Sequence, residues 1–272
     1  MDSHADSQRA TGTTPSVTIR RFGVLFAVGL LGIVALAVTT PAQLEAVPDA
    51  PAVPTAVLVV AVIVQSSVLL AIAVLIGCYA APRLGLRSHL LERVSEGTPI
   101  GPNLRADLPT ALGLGAVAGL VIVLAEAVFA PAIPADAGAT EATVGAVLSS
   151  LPVRFLYGGL TEELLLRWGF LSLVAFALWK TVGRGTDRPS DRLLATAVVV
   201  AAVVFGLGHL PAASTTYGGL TPAVVAWIIA GNTIGGLAYG WLFWRRSLEA
   251  AMIGHMATHV IFVALSLVIV VA

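Results

Sequence analysis

Seven apolar runs follow one another along this 272-residue chain: Phe22 to about Val38, then about 56–81, 110–133, 151–179, 193–210, 222–244 and 248–272. Each reaches or approaches the ~20 residues that a helix rising 1.5 Å per residue needs to cross the hydrocarbon of a bilayer. Backbone amides in lipid find no water, so such runs must satisfy their hydrogen bonds internally, as helices. The fold class expected is therefore all-α, a polytopic transmembrane helical bundle of seven or eight spans. The eighth would arise from a re-entrant or split segment near 130–160, which would invert everything after it. Composition agrees: 57% of residues are hydrophobic and 11% charged, against about 25% charge in an average soluble domain. The zero net charge points to no nucleic-acid partner, and the partner that composition does imply is the lipid bilayer itself.

The polar residues 1–19 read as a disordered cytoplasmic tail, and 20–272 as a single transmembrane domain. Arg20-Arg21 and the length of the first apolar run suit an uncleaved anchor better than a signal peptide. Thirteen of the 15 basic residues precede the first span or lie between spans two and three, four and five, or six and seven. The alternate loops hold Glu45, Asp49, Asp136 and Glu141 but no Lys or Arg. By the positive-inside rule the amino terminus is cytoplasmic, in an integral multi-pass protein of the cytoplasmic membrane. The lone cysteine, Cys78, excludes an internal disulfide and a cysteine metal cluster, and reads as packing. Small residues four apart on the sixth run, Gly231, Gly235, Gly236 and Gly240, mark a face that a neighbouring helix can approach closely.

The two remaining basic residues are Arg154 and Arg167, both inside the fourth run together with Glu162 and Glu163. An ionised group at bilayer depth costs at least ~2.5–3.5 kcal/mol, so each needs a partner. Glu163 and Arg167 are four apart and share a helix face, with the acid on the favourable amino-terminal side. Glu162 is turned by about 100° and aims elsewhere. Glu126, near the outer end of the third span, is a candidate structural partner for Arg154, and Glu249 reads as interfacial. A buried ion-pair network that fixes helix packing would account for the acids and Arg167 alone. The histidines add more: His209 lies one turn after Phe205 on the fifth span, and His255 and His259 lie one turn apart on the seventh. Carboxylates and imidazoles converging in a water-accessible cavity are the groups needed to activate water and stabilise an oxyanion. The same groups would also serve a proton relay or transporter, or a b-type haem held by His209 with His255 or His259.

The pattern Glu162-Glu163-x-x-x-Arg167, Phe205-x-x-x-His209, His255-x-x-x-His259 resembles the three-motif signature of the CAAX prenyl endopeptidase and bacteriocin-processing (CPBP, or ABI) family of intramembrane proteases. Gly236-x-x-x-Gly240-Trp241-Leu242 and Ser247-Leu248-x-x-Ala251 are similar to the family's approach to its last motif. The resemblance covers about residues 150–272. It implies a membrane-embedded endopeptidase acting on a peptide or protein substrate at the membrane, with lipid-modified substrates among those of eukaryotic relatives. It further implies that Glu162 is the general base, assisted by His209, that His255 and His259 hold the oxyanion, and that Glu163 and Arg167 support them. Two positions depart from the family pattern: His259 stands where Asn is common, and Trp168 intervenes before Gly169. The glutamate reading needs no cofactor. On the alternative, metal-dependent reading, His209, His255 and His259 would ligate zinc, because Glu162 cannot be both base and ligand. The depth of the motifs poses a problem. His209 lies near the outer end of its span and His255 near the inner end of its own, so the helices must tilt or be offset for the two to meet.

Overall fold

The computed structural model describes residues 15–45, 53–133 and 143–272. The described residues are helical, without a strand, and seven helical stretches are long and apolar enough to cross a membrane. They contain α1 (Pro15–Glu45), α2 (Thr55–Leu84), α3 (His89–Glu96), α4 (Ile100–Phe129) and α5 (Val144–Ser149). The fourth span continues through π-helical turns over Val153–Glu162 and Leu164–Leu171 into α6 (Ser172–Thr181). Then come α7 (Asp191–Gly208), α8 (Leu210–Thr216), α9 (Pro222–Arg245) and α10 (Leu248–Val271). Among these residues seven spans are present and no eighth. The acidic positions Asp49, Asp136 and Glu141 lie outside the described residues, as does the tail before Pro15.

Two expectations need correction. The helix of the first span begins at Pro15, so residues 15–19 are helical and not part of a disordered tail. Proline suits a helix start, where its missing N–H leaves no bond unmade. The motif-bearing part of the fourth span closes wide π-helical turns instead of α-turns. Such turns occur mostly singly and often at functional sites, because the wider turn re-aims side chains.

Close helix contacts depend on glycines at which a Cβ would collide with a neighbour. Gly32 of α1 abuts Thr161 and the backbone at Leu156 and Tyr157, and Thr161 donates to the Gly29 carbonyl at 2.7 Å. Gly77 of α2 receives the buried Trp168 ring, and Gly169 rests on Ala73 of the same helix. The inserted Trp168 is therefore accommodated by a glycine on α2. Gly115 of α4 meets Gly254 of α10, and Thr258 donates to the Gly115 carbonyl at 2.8 Å. The glycine face of the sixth span is used in part: Gly236 and Gly240 lie against Ala202 and Val198 of α7, whereas Gly231 and Gly235 line a cavity. The first three spans, which carry no motif, thus clasp the motif-bearing helices, α1 and α2 from one side and α4 from the other.

On the side of the basic loops a second polar cluster ties these elements together. Glu249 accepts from the Ser88 hydroxyl (2.7 Å) and from the His89 and Leu90 amides (2.9 and 3.0 Å), capping α3. A carboxylate there also complements the positive end of the helix. Asp107 of α4 accepts from the Ser247 hydroxyl at 2.7 Å and meets His89 Nε2 at 2.9 Å. At the mouth of α3, the Arg87 guanidinium beside Glu92 holds that carboxyl below its usual range. Glu249 is thus the link between α3 and α10. Replacing it with Ala (Glu249→Ala) should lower unfolding free energy by about 1.5–3 kcal/mol, the worth of hydrogen bonds to a charged group. Thermal or chemical unfolding in detergent would measure this, and an unchanged midpoint would contradict the linking role.

Candidate active site

Glu163 sits at the centre of the bundle with no exposed surface. Its Oε1 accepts from Arg167 Nη1 at 2.9 Å and contacts His255 Nδ1 at 2.8 Å. Arg167, 1% exposed, also reaches the Gly236 carbonyl at 3.4 Å and lies over the rings of Phe205 and Tyr239. One carboxylate and one guanidinium therefore join the fourth span to α7, α9 and α10. The i, i+4 pair read from spacing forms in spite of the wide turns.

The hydrogen bonds assign the imidazole protons. With Arg167 beside it, Glu163 is the acceptor, so His255 carries its proton on Nδ1 and turns a bare Nε2 toward Glu162. His209 Nδ1 lies 2.8 Å from the Phe205 carbonyl, which can only accept, so its Nε2 is likewise bare. His259 Nδ1 is buried without a partner. An orphaned acceptor costs less than an orphaned N–H, so the His259 proton belongs on Nε2, beside Gly158.

Glu162 points away from this pair and into a cavity of about 640 Å³. Its Oε1 is 3.9 Å from His209 Nε2 and its Oε2 is 4.0 Å from His255 Nε2. The depth problem is resolved. His209 ends α7 while His255 lies two turns into α10, yet both flank one carboxylate. His259 stacks on His255, with ring centroids 4.9 Å apart and planes 22° apart. A Cβ at Gly158 would sit 2.9 Å from His259 Nε2 and 3.6 Å from His255 Nε2. The glycine thus leaves open a space that both ring nitrogens border.

A metal held by His209, His255 and His259 does not fit this arrangement. Among the described residues no group of three or more His, Cys, Asp or Glu side chains is placed to hold a metal ion.

The expected Arg154–Glu126 pair is not formed. Both residues line the cavity, but Arg154 donates from Nε to Ser150 at 2.9 Å, one turn earlier, and no Glu126 oxygen lies within ion-pair reach. Sequence reasoning also passed over Tyr157, Tyr239 and Gly158. Tyr239 stacks on His255 with centroids 4.4 Å apart, and Tyr157 lines the cavity near Glu162. A signal existed only for Gly158, in the Gly158-Gly159 pair one turn ahead of the two acids.

Removing one partner of a buried ion pair leaves the other charged and unpaired, at a cost of about 3–5 kcal/mol. Arg167→Met should destabilise the protein by about that amount, and the double variant Glu163→Gln/Arg167→Met should recover most of the loss. Unfolding midpoints in detergent decide it, and additive losses would contradict a coupled pair.

Residues 144–261 match the family model described as type II CAAX prenyl endopeptidase Rce1-like. The matched stretch contains all three motifs. Neither a curated protein nor a solved structure matches the chain. Over these residues the carboxyl-terminal spans are therefore similar to the Rce1-like type II CAAX prenyl endopeptidases.

Proposed function

We propose that the chain hydrolyses a peptide bond within the membrane using a water activated by Glu162. The observation that carries this reading is the placement of Glu162 3.9 Å from His209 Nε2 and 4.0 Å from His255 Nε2 at the head of a cavity. Both gaps are too long for a direct hydrogen bond and suit a bridging water. Such a water donates one proton toward Glu162 and the other toward the bare Nε2 of His209. Glu162 takes the first proton as the water oxygen attacks the substrate carbonyl, and that proton is then delivered to the departing amine.

The oxyanion role divides differently from the family expectation. In its resting tautomer His255 offers Nε2 as an acceptor, so it donates to an oxyanion only once doubly protonated, with Glu163 as its counter-ion. His259 Nε2–H is the resting donor. It faces the space that Gly158 leaves open, where a carbonyl oxygen would sit between the two imidazoles. No step needs a metal, and the supporting roles fall to Glu163 and Arg167. The substrate class implied by the family is a peptide or protein at the membrane, with prenylated carboxyl termini the first to test.

Purified protein in nanodiscs, incubated with an S-farnesylated peptide and followed by mass spectrometry, tests this. Glu162→Ala and His209→Ala should each lower the cleavage rate by about 10²–10⁴-fold, the usual contribution of general acid–base groups. Undiminished cleavage by both variants would overturn the assignment. Gly158→Ala, which fills the space between His255 and His259, should lower kcat more than it raises KM.

The cavity lining also bears on orientation. It runs from Glu162 to Glu126, Val153, Tyr217, Trp227 and Ile269. These lie at the span ends opposite Arg83–Arg105, Lys180–Arg192 and Arg245-Arg246. With the basic loops cytoplasmic, the site opens away from the cytoplasm. In a Cys78→Ser background, Tyr217→Cys should react with a membrane-impermeant maleimide in right-side-out vesicles and not in inverted ones. The reverse labelling would contradict this orientation.

A further inference from the structure

We infer that Arg154 is the subsite for an anionic group of the substrate, its terminal carboxylate, and so sets the distance from the cleaved bond to the chain end. The inference rests on the peptidase reading of the cavity. Arg154 lines the cavity that holds Glu162, His209, His255 and His259. The neighbouring ion pairs join Glu162, Glu163, Arg167 and the histidines to one another. Arg154 has no carboxylate within 4 Å among the described residues, and its one side-chain hydrogen bond uses Nε on Ser150 at 2.9 Å. Neither terminal nitrogen of its guanidinium fork has a hydrogen-bond partner among the described residues. A planar fork of this kind matches a carboxylate bidentately.

A guanidinium that lines the cavity and has no carboxylate partner among the described residues matches an anion that the substrate itself brings. Every linear peptide with a free end supplies one. The spacing agrees with that source. Arg154 precedes Glu162 by eight residues, which at 1.5 Å per residue is at most ~12 Å along the helix. An extended peptide covers ~3.3 Å per residue, so the carboxylate falls at most about three to four residues beyond the bond attacked at Glu162. Glu126 lines the same cavity and would repel an acidic side chain that strayed from the fork.

The test uses an S-farnesylated peptide carrying an amino-terminal fluorophore, with the farnesyl cysteine three residues from its end, as free acid and as carboxyl-terminal amide. Binding is measured by fluorescence polarisation to Glu162→Gln protein in phosphatidylcholine nanodiscs. The acid should bind at least tenfold more tightly than the amide. Adding Arg154→Gln should equalise the two, and Arg154→Lys should restore part of the preference. Equal binding of acid and amide, a preference that survives Arg154→Gln, or binding of neither form would overturn the inference. So would loss of the preference when phosphatidylglycerol is included, which would assign the fork to a lipid headgroup. Cleavage of the same peptides by unaltered protein separates the two proposals. Acid and amide cut equally well would sink the subsite and keep the peptidase, whereas acid-selective binding without cleavage would do the reverse.

Discussion

The structure depends on one buried carboxylate. Glu163 has no access to solvent, and its charge is tolerable only because Arg167 and His255 converge on the same oxygen. Three consequences follow. Arg167, drawn inward, ties the fourth span to the Gly236 carbonyl and to the rings of Phe205 and Tyr239. His255 is fixed in the tautomer that bares Nε2 toward the cavity. Glu162, the residue before it, is left turned toward that cavity, where His209 and His255 approach it without a direct hydrogen bond.

The rest of the bundle serves this arrangement by letting helices come close. Gly77 makes room for Trp168, Gly115 for the backbone of α10 at Gly254, and Gly236 for α7 at Ala202. The charged cluster needs a dry surround, because low local polarity strengthens the Glu163–Arg167 attraction and makes any unpaired member costly. The first three spans supply that surround by packing on either side of the motif-bearing helices.

Much of this was legible in the residues themselves. The spans stood out because apolar length is dictated by bilayer thickness, and the Glu163–Arg167 pair because four-residue spacing survives a moderate change in helix winding. The convergence of His209 and His255 on Glu162 was legible only as a resemblance between ordered motifs, since depth along the spans argued against it. The π-helical turns were not legible, because the same apolar run satisfies either winding. Nor was α3, whose amphipathic eight residues sit in a charged loop and are capped by Ser88 together with Glu249, some 160 positions away. Tyr239 and Gly158 looked like packing residues, and their place beside the imidazoles is a tertiary fact. The Arg154–Glu126 pairing failed for a related reason: opposite charges on neighbouring spans need not meet when a cavity lies between them.

The central claim is that two adjacent acids do separate work, Glu163 holding the bundle together and Glu162 carrying the chemistry. The most direct measurement compares Glu162→Gln and Glu163→Gln, reading unfolding midpoint and peptide cleavage on the same nanodisc preparations. The account predicts that Glu162→Gln keeps the midpoint of the unaltered protein and loses cleavage, while Glu163→Gln loses stability. Cleavage retained by Glu162→Gln, or a midpoint that falls as far as that of Glu163→Gln, would contradict it.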